Sequence, residues 1–193
     1  QGAPGDSNPS CDNQQQPMSD LYPANSVYVT AVGATMLTKK GGESPKKLYP
    51  HVPACQSGQW DCATGTAEVV CSYPEALITS GGGFSQTIKM PSWQSESGVV
   101  EKYLSSGVQL PSSNSYDKTM RAFPDVAANG HAYLIAMSGS LMQVDGTSCS
   151  SPAWGGTVAL LNGRRMAMGK SKLGFLSPML YKAPNNVFNK ISE

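Results

Sequence analysis

The pattern of apolar and polar residues predicts alternating strands and helices. Residues 27–35 are β-branched or small without regular polar alternation, which is typical of a strand buried on both faces of a parallel sheet. A second strand is predicted at 131–138, and it continues through 141–144 into a glycine turn. Helical spacing is found at 91–106, with Pro91 near its start. We therefore predict an α/β fold.

Two further helices are predicted in the last quarter of the chain. One follows the glycine turn and carries Thr157, Val158, Leu160 and Leu161, with the Arg164-Arg165 pair near its C-terminus, where cations are favoured. The other is a small helical element within 173–181. No internal repeat divides the chain, so we predict no separate second domain within 1–193.

The segment 39–73 interrupts this pattern. It has two lysine pairs, scattered prolines and three cysteines with little periodicity. We predict an inserted surface excursion there, held by a disulfide, with its lysines facing solvent. Residues 1–18 are rich in Gly, Pro, Asn and Gln and are predicted to be loop.

Composition excludes several classes of partner. The 193 residues have a net charge of +1 and only 14% charged residues, which gives no reason to expect nucleic acid or an anionic membrane as partner. No apolar run approaches the roughly 18 to 20 residues that span a bilayer. The start at Gln1 has no features of a signal peptide, so we expect any such peptide to lie upstream.

The cysteines favour an oxidising compartment. Their spacings lack the paired knuckles of a structural zinc site, so disulfides are the better hypothesis. Their number is odd, and we expect Cys149 to be the one outside an internal disulfide and Cys11 to bridge to the insertion or to another chain. The five are Cys11, Cys55, Cys62, Cys71 and Cys149.

Ser148 has two interpretations. As a residue at or just before a helix start, it could be a helix cap, the commonest role of such a serine. It could also be a nucleophile, because glycine lets the backbone approach a substrate and the helix start favours a developing oxyanion. The run of small residues after Gly146 exceeds what a cap requires, and Pro152 fits the first turn of the helix.

Several short motifs occur in an order that resembles the C-terminal half of a subtilisin-like fold and, within it, the sedolisin (serine-carboxyl peptidase) family. Singly they are weak to moderate, and in series they are specific. The resemblance covers nearly the whole chain outside 39–73. The motifs are Gly5-Asp6-Ser7, Ser80-Gly81-Gly82-Gly83-Phe84-Ser85, Pro124-Asp125-Val126-Ala127, Gly146-Thr147-Ser148, Ser151-Pro152-Ala153-Trp154-Gly155-Gly156 and Leu173-Gly174-Phe175-Leu176-Ser177-Pro178-Met179-Leu180-Tyr181.

The resemblance implies a subtilisin-like three-layer α/β fold with a mostly parallel sheet, present here only as its C-terminal part. It also implies a peptidase that cleaves peptides in acid, either as an endopeptidase or as a tripeptidyl-peptidase. Ser148 matches the nucleophile, and Asp6 matches the aspartate whose protonated carboxyl donates to the oxyanion. The stretch from Ser80 through Gly81 and Gly82 to Gly83 matches the lining of the substrate cleft. A secreted, lysosomal or acidic vacuolar location would follow.

In this family the serine is activated by a glutamate assisted by an aspartate. Both lie on a helix that precedes Gly5-Asp6-Ser7, and this chain begins four residues before Gly5. We expect an upstream chain of the same precursor to supply the Glu/Asp pair and the missing strands of the sheet. None of the glutamates in this chain matches the family's pattern.

Two positions depart from the family. Asp145 stands where a serine usually precedes Gly-Thr-Ser, which puts an extra carboxylate near the site. Lys190 stands at an aspartate of the family's calcium site, and lysine cannot ligate Ca²⁺. The sequence identifies no cofactor with certainty. The family resemblance implies calcium, but the calcium ligands are not intact in this chain.

Two alternatives stay open at this stage. One is a histidine-using subtilisin-like peptidase, although His51 and His131 match none of its motifs and Asp6 replaces its asparagine. The other is a non-catalytic homologue that binds peptide or has a structural role. Asp145, Lys190 and the missing base make this second alternative credible.

Overall fold

The computed structural model of the protein describes residues 21–39, 66–73, 76–108, 110–184, 186–189 and 191. Their elements, in chain order, are β1 (Val32–Lys39), β2 (Thr66–Val70), β3 (Gly83–Lys89), α1 (Ser92–Ser95), α2 (Val99–Leu104), β4 (Met120–Phe123), β5 (Val126–Asn129), β6 (Tyr133–Met137), β7 (Ser140–Val144), α3 (Thr147–Ala167) and α4 (Ser177–Tyr181).

The largest sheet among the described residues has the strand order β2-β1-β5. β1 and β5 run parallel with Val32 opposite Val126, whereas β1 and β2 are antiparallel. α3 packs against β1 and β5. The α/β fold with parallel pairing is confirmed, and β1 is buried on both faces from Val32 to Met36.

The first strand begins five residues later than the 27–35 prediction. Residues 21–29 form turns that satisfy their own backbone groups, as in the hydrogen bond from the Ser26 N–H to the Pro23 carbonyl. Tyr28 is 83% exposed, so this part of the apolar run is not in a sheet. The prediction followed β-branched residues, but the strand begins where β5 offers a partner.

The predicted insertion contains a strand that was not predicted from its sequence. β2 lies within 39–73 and pairs with β1, so this end of the segment belongs to the sheet. Cys71 follows it and is fully buried. Residues 40–65, with Cys55 and Cys62, lie outside the described residues, and the predicted disulfides stay predictions.

The helix predicted at 91–106 is two short helices, α1 and α2. Gly98 separates them with φ +67°, a left-handed conformation that a right-handed helix cannot contain. Val100 is buried next to Phe84 and Met120, while Val99 and Tyr103 remain about half exposed. The strand predicted at 131–138 is confirmed as β6. Its expected continuation through 141–144 is instead a separate antiparallel strand, β7, because the chain reverses at the two-residue turn Ser138-Gly139.

A buried polar cluster fixes the connection between β4 and β5. The Arg121 guanidinium pairs with the Asp125 carboxylate at 2.6 Å, and both side chains are fully buried. The same carboxylate accepts hydrogen bonds from the Ala31 N–H and from the Tyr181 hydroxyl, and Arg121 lies over the Trp93 ring. The cluster therefore joins α1, β4, α4 and the start of β1.

Candidate active site

Ser148 lies in the first turn of α3. The interpretation of Ser148 as the helix cap is therefore wrong. The cap position is held by Gly146, which has no side chain to donate or accept, and Ser148 is the second residue of the helix. Thr147 before it is buried, whereas Ser148 is exposed. Since α3 has 21 residues, Ser148 lies in the positive field of a long helix N-terminus.

Pro152 lies inside α3 and not in its first turn, because the helix begins earlier than predicted. Proline lacks the N–H that would bond to the carbonyl four residues back, which is that of Ser148. Arg164 and Arg165 lie in the last turn of α3, as predicted.

The end of β5 holds the turn that precedes Ser148. The Gly146 N–H donates to the Gly130 carbonyl at 2.8 Å, and the Gly130 N–H donates to the Thr35 carbonyl of β1 at 2.9 Å. A Cβ on Gly130 would lie 2.6 Å from Ser150 Oγ, 2.7 Å from Ala34 Cβ and 2.8 Å from the Gly146 carbonyl oxygen. Glycine is therefore required at 130 so that the turn can lie directly on the sheet.

Asp145 is held by three donors. Its Oδ2 accepts from the Leu77 N–H at 2.8 Å and lies 2.8 Å from His131 Nδ1, and its Oδ1 accepts from the Ala132 N–H at 2.7 Å. Burial raises the pKa of this carboxyl, but the hydrogen bonds from Leu77, Ala132 and His131 together outweigh burial and lower the pKa below its ordinary value. The extra carboxylate near Ser148 is thus a charged acceptor at the centre of three segments.

His131 is only half satisfied. Its Nδ1 bonds to Asp145, while its Nε2 is buried and has no hydrogen-bond partner among the described residues. From the sequence, His131 matched no catalytic motif. The Asp145–His131 pair was missed because the two residues are 14 positions apart and belong to no shared motif.

The glycine-rich stretch is anchored to the same strand. The Ser80 Oγ accepts the Ala34 N–H at 2.9 Å, and the Ser80 N–H donates to the Cys71 carbonyl. Ser80 is 8% exposed and Gly81 is buried, so the Ser80 side chain stabilises the sheet. A cleft-lining role for Ser80 to Gly83 stays a prediction.

Glycine at 82 and 83 has a local cause. A Cβ on Gly82 would lie 3.0 Å from Pro124 Cδ and 3.1 Å from the Phe123 carbonyl oxygen. Gly83 has φ +145°, which L side chains rarely adopt. The backbone of this stretch therefore passes directly over the β4–β5 connection.

The structure brings the Ser148 turn and the glycine stretch together. Ser80 and Gly130 bond to successive residues of β1, Ala34 and Thr35, and the Leu77 N–H three residues before Ser80 bonds to Asp145. Two other predicted groups fall outside the described residues: the oxyanion-stabilising Asp6, and His51 of the histidine alternative.

The described residues contain no cluster of three His, Cys, Asp or Glu side chains able to hold a metal ion. At the calcium position implied by the family, Asn189 is the neighbouring described residue, and Lys190 supplies an ammonium where a carboxylate oxygen is needed. Lys190 cannot be a calcium ligand, and calcium binding stays a prediction from the family resemblance. In the part of the chain that the structure describes, no helix is long and apolar enough to cross a membrane.

Comparisons with known proteins find relatives but no matching family model. Physarolisin of Physarum polycephalum is 45% identical over 195 residues, covering all of this chain and 33% of the relative. Tripeptidyl-peptidase 1 of Canis lupus familiaris is 35% identical over 183 residues, which cover 93% of this chain and 27% of the relative. Tripeptidyl-peptidase 1 of Homo sapiens is 36% identical over 162 residues, which cover 83% of this chain and 23% of the relative.

A solved structure has a similar fold. Pseudomonas sedolisin, a serine-carboxyl proteinase complexed with two molecules of pseudo-iodotyrostatin, superposes with a TM-score of 0.54 at 26% identity. The match covers 90% of this chain and 39% of that one. The chain thus spans a third or less of the curated relatives it matches.

Proposed function

Because the chain belongs to the sedolisin family and covers the C-terminal part of its catalytic domain, we propose that it is part of a serine peptidase with Ser148 as nucleophile. The observation that carries the proposal is the position of Ser148, exposed in the first turn of a 21-residue helix and immediately after a backbone turn fixed on the sheet. Peptides or proteins are the substrates, cleaved either internally or as N-terminal tripeptides.

The geometry of the turn suits acyl transfer. First-turn N–H groups of a helix have no acceptor within it, so the Ser148 N–H is suited to donate to a developing oxyanion. Such a donor typically contributes about 10²- to 10³-fold in kcat. The exposed hydroxyl is accessible to a substrate carbonyl, which a buried cap would not be.

The general base comes from elsewhere in this proposal. Asp145 is the nearest acidic residue in sequence, but its carboxylate accepts three hydrogen bonds and its pKa is lowered, so it is a poor proton acceptor. We assign the base to the Glu/Asp pair of an upstream segment. Asp6, protonated in acid, donates to the oxyanion, so activity is confined to low pH and to a secreted, lysosomal or vacuolar location.

Two features support an upstream partner. The side chains of Leu160 and Leu161 on α3 are 78% and 50% exposed, and residues 146–163 carry no charge. The side of the helix turned away from the sheet is therefore apolar, which is unusual for a surface in contact with water. In addition, β5 is an edge strand of the described sheet, with one parallel neighbour. Further strands and a covering layer of the same precursor fit both surfaces.

The structure also offers an observation for the histidine-using alternative. Asp145 holds His131 through Nδ1, and no described residue bonds to Nε2, an arrangement known from Asp–His pairs that activate serine. His131→Asn tests this alternative, since asparagine can replace the Nδ1 donor but cannot act as a base. A loss of activity comparable to that of Ser148→Ala would favour the histidine mechanism.

The test uses the complete enzyme, including its upstream segment, with a peptide substrate at about pH 4. Ser148→Ala should lower kcat by a factor on the order of 10⁶, and Asp6→Ala by about 10²- to 10³-fold. Ser171→Ala, a serine exposed in the loop after α3, is the matched control and should retain activity. Undiminished cleavage by Ser148→Ala would end the proposal, and a parent enzyme without cleavage would favour the non-catalytic homologue.

A further inference from the structure

Asp145 joins three segments that are distant in sequence. Its carboxylate accepts the N–H of Leu77, 68 residues away, and the N–H of Ala132, 13 residues away, and it contacts His131 Nδ1. The next residue, Gly146, bonds through its N–H to the Gly130 carbonyl. Residues 130, 131 and 132 are therefore all fastened to the two residues that precede Thr147 and Ser148.

The backbone at this junction is strained. Ala132 has φ +49°, a left-handed conformation that costs energy for a residue with a Cβ. The Ala132 N–H is one of the donors to Asp145, so the carboxylate helps to hold this conformation. Such outliers persist only where surrounding contacts determine them.

From this arrangement we propose that Asp145 is a positioning residue, which fixes the Ser148 turn relative to the glycine stretch that begins at Ser80. The inference rests on the proposed function of Ser148. The link to the glycine stretch is the Leu77 N–H, three residues before Ser80, and the link to the sheet is the 130–132 segment. The two predicted halves of the site are thus joined by one side chain.

Only a carboxylate satisfies these donors. Oδ1 accepts one backbone N–H and Oδ2 accepts another, so both oxygens face donors. Asparagine in either orientation would direct its NH₂ group at the N–H of Leu77 or of Ala132, and one hydrogen bond would become a donor–donor contact. The lowered pKa of Asp145 keeps the carboxylate charged when the solution is acidic enough to protonate ordinary carboxyls.

His131 completes the arrangement as the titratable group in contact with Asp145. Its Nδ1–H donates to Oδ2, while the neighbouring contacts on this carboxylate come from backbone N–H groups. A side chain that keeps a donor at the Nδ1 position should therefore preserve the geometry without a ring or a charge. His131→Asn is such a change.

The experiment compares Asp145→Asn, His131→Asn, His131→Ala and Ser148→Ala in the complete enzyme. Asp117→Asn is the matched control, since Asp117 is an exposed aspartate that also accepts a backbone N–H, from Thr119. The readouts are kcat and KM at about pH 4, with kcat normalised to titrated active sites, and amide hydrogen exchange in segments 76–83 and 130–134. Normalisation removes any effect of a smaller folded fraction.

Asp145→Asn should lower the normalised kcat by up to about 10²-fold, the effect of a displacement near 1 Å, and should speed exchange in both segments. Asp117→Asn should resemble the parent, and His131→Ala should lower kcat by less than Asp145→Asn does. A loss in His131→Asn as large as that of Ser148→Ala would instead indicate the histidine mechanism. If Asp145→Asn does not fold, His131→Ala replaces it, and an unchanged kcat in that variant overturns the inference.

The two proposals fail in different ways. A parent-like kcat and exchange for Asp145→Asn, beside an inactive Ser148→Ala, overturns the positioning role and leaves the proposed function intact. Cleavage by Ser148→Ala overturns the proposed function and, with it, any catalytic role for Asp145.

Discussion

The N–H of Gly146 donates to the carbonyl of Gly130 at 2.8 Å, so the turn before Ser148 lies on the end of β5. This contact brings two backbones together at a distance that excludes a side chain. A Cβ at 130 would lie under 3.0 Å from three atoms, one of which is the Gly146 carbonyl oxygen and cannot rotate away. The position of Ser148 therefore depends on a glycine 18 positions earlier, which has no side chain that could take part in the reaction.

Gly130→Ala should destabilise the protein by about 1–3 kcal/mol, the usual cost of overpacking, and should lower activity because the Ser148 turn must shift. Denaturant unfolding and peptide cleavage measure the two effects. Ala132→Gly is the opposing change two residues away, and relief of its φ of +49° should leave stability equal or higher. Equal stabilities of Gly130→Ala and the parent would contradict the packing described here.

The lowered pKa of Asp145 predicts how stability depends on pH. A carboxyl whose pKa is lower in the folded state stabilises the protein above its unfolded pKa, near the ordinary value of 3.8, and this contribution is lost as pH falls through the folded pKa. The difference in unfolding free energy between the parent and Asp145→Asn should therefore shrink as the pH drops below this ordinary value. If this free-energy difference grows as the pH is lowered, the pKa of Asp145 is raised by folding and not lowered.

Tyr181→Phe should lower the free energy of unfolding by about 1–3 kcal/mol, because it leaves buried groups without a partner. The Tyr181 hydroxyl donates to Asp125 Oδ1 at 2.9 Å and accepts from Gln94 Nε2 at 2.6 Å. Burial, and then the Asp125 carboxylate, raise the pKa of this hydroxyl, which keeps it protonated and able to donate. Tyr28→Phe, at a side chain 83% exposed, is the control and should change stability by less than about 0.5 kcal/mol.

Leu160→Glu tests whether α3 is covered in the complete enzyme. If the upstream segment packs on this side, the substitution buries a charge and should prevent assembly or strongly lower the unfolding temperature. If the helix remains in water, as Leu160 is at 78% exposure here, the change should stay within about 0.5 kcal/mol. Met179→Glu on α4, where the side chain is 49% exposed, provides the comparison.

Local signals predicted much of the fold. Periodicity and turn residues within a few positions of one another predict β6, α3 with its terminal arginine pair and the short helix ending at Tyr181. The break at Gly98 also has a local cause, since a glycine inside a helical pattern weakens the helix, although the apolar spacing alone predicts one continuous helix.

The remaining features depend on contacts that a linear pattern does not contain. β2 forms because β1 offers a partner, although its own segment has little periodicity. Ser148 is not the cap because the helix begins at Thr147, where the backbone is already fixed by Gly130. The donors of Asp145 come from residues 13, 14 and 68 positions away, so its sequence neighbours could not reveal them.

Among the described residues, β5 has a neighbouring strand on one side only, and this has a practical consequence. An edge strand presents a row of backbone donors and acceptors that will pair with any extended chain, including another copy of the same protein. If the proposed upstream segment covers this edge in the complete enzyme, residues 1–193 expressed alone should self-associate through it as their concentration rises. Co-expression with that segment should then compete with the pairing and give soluble material.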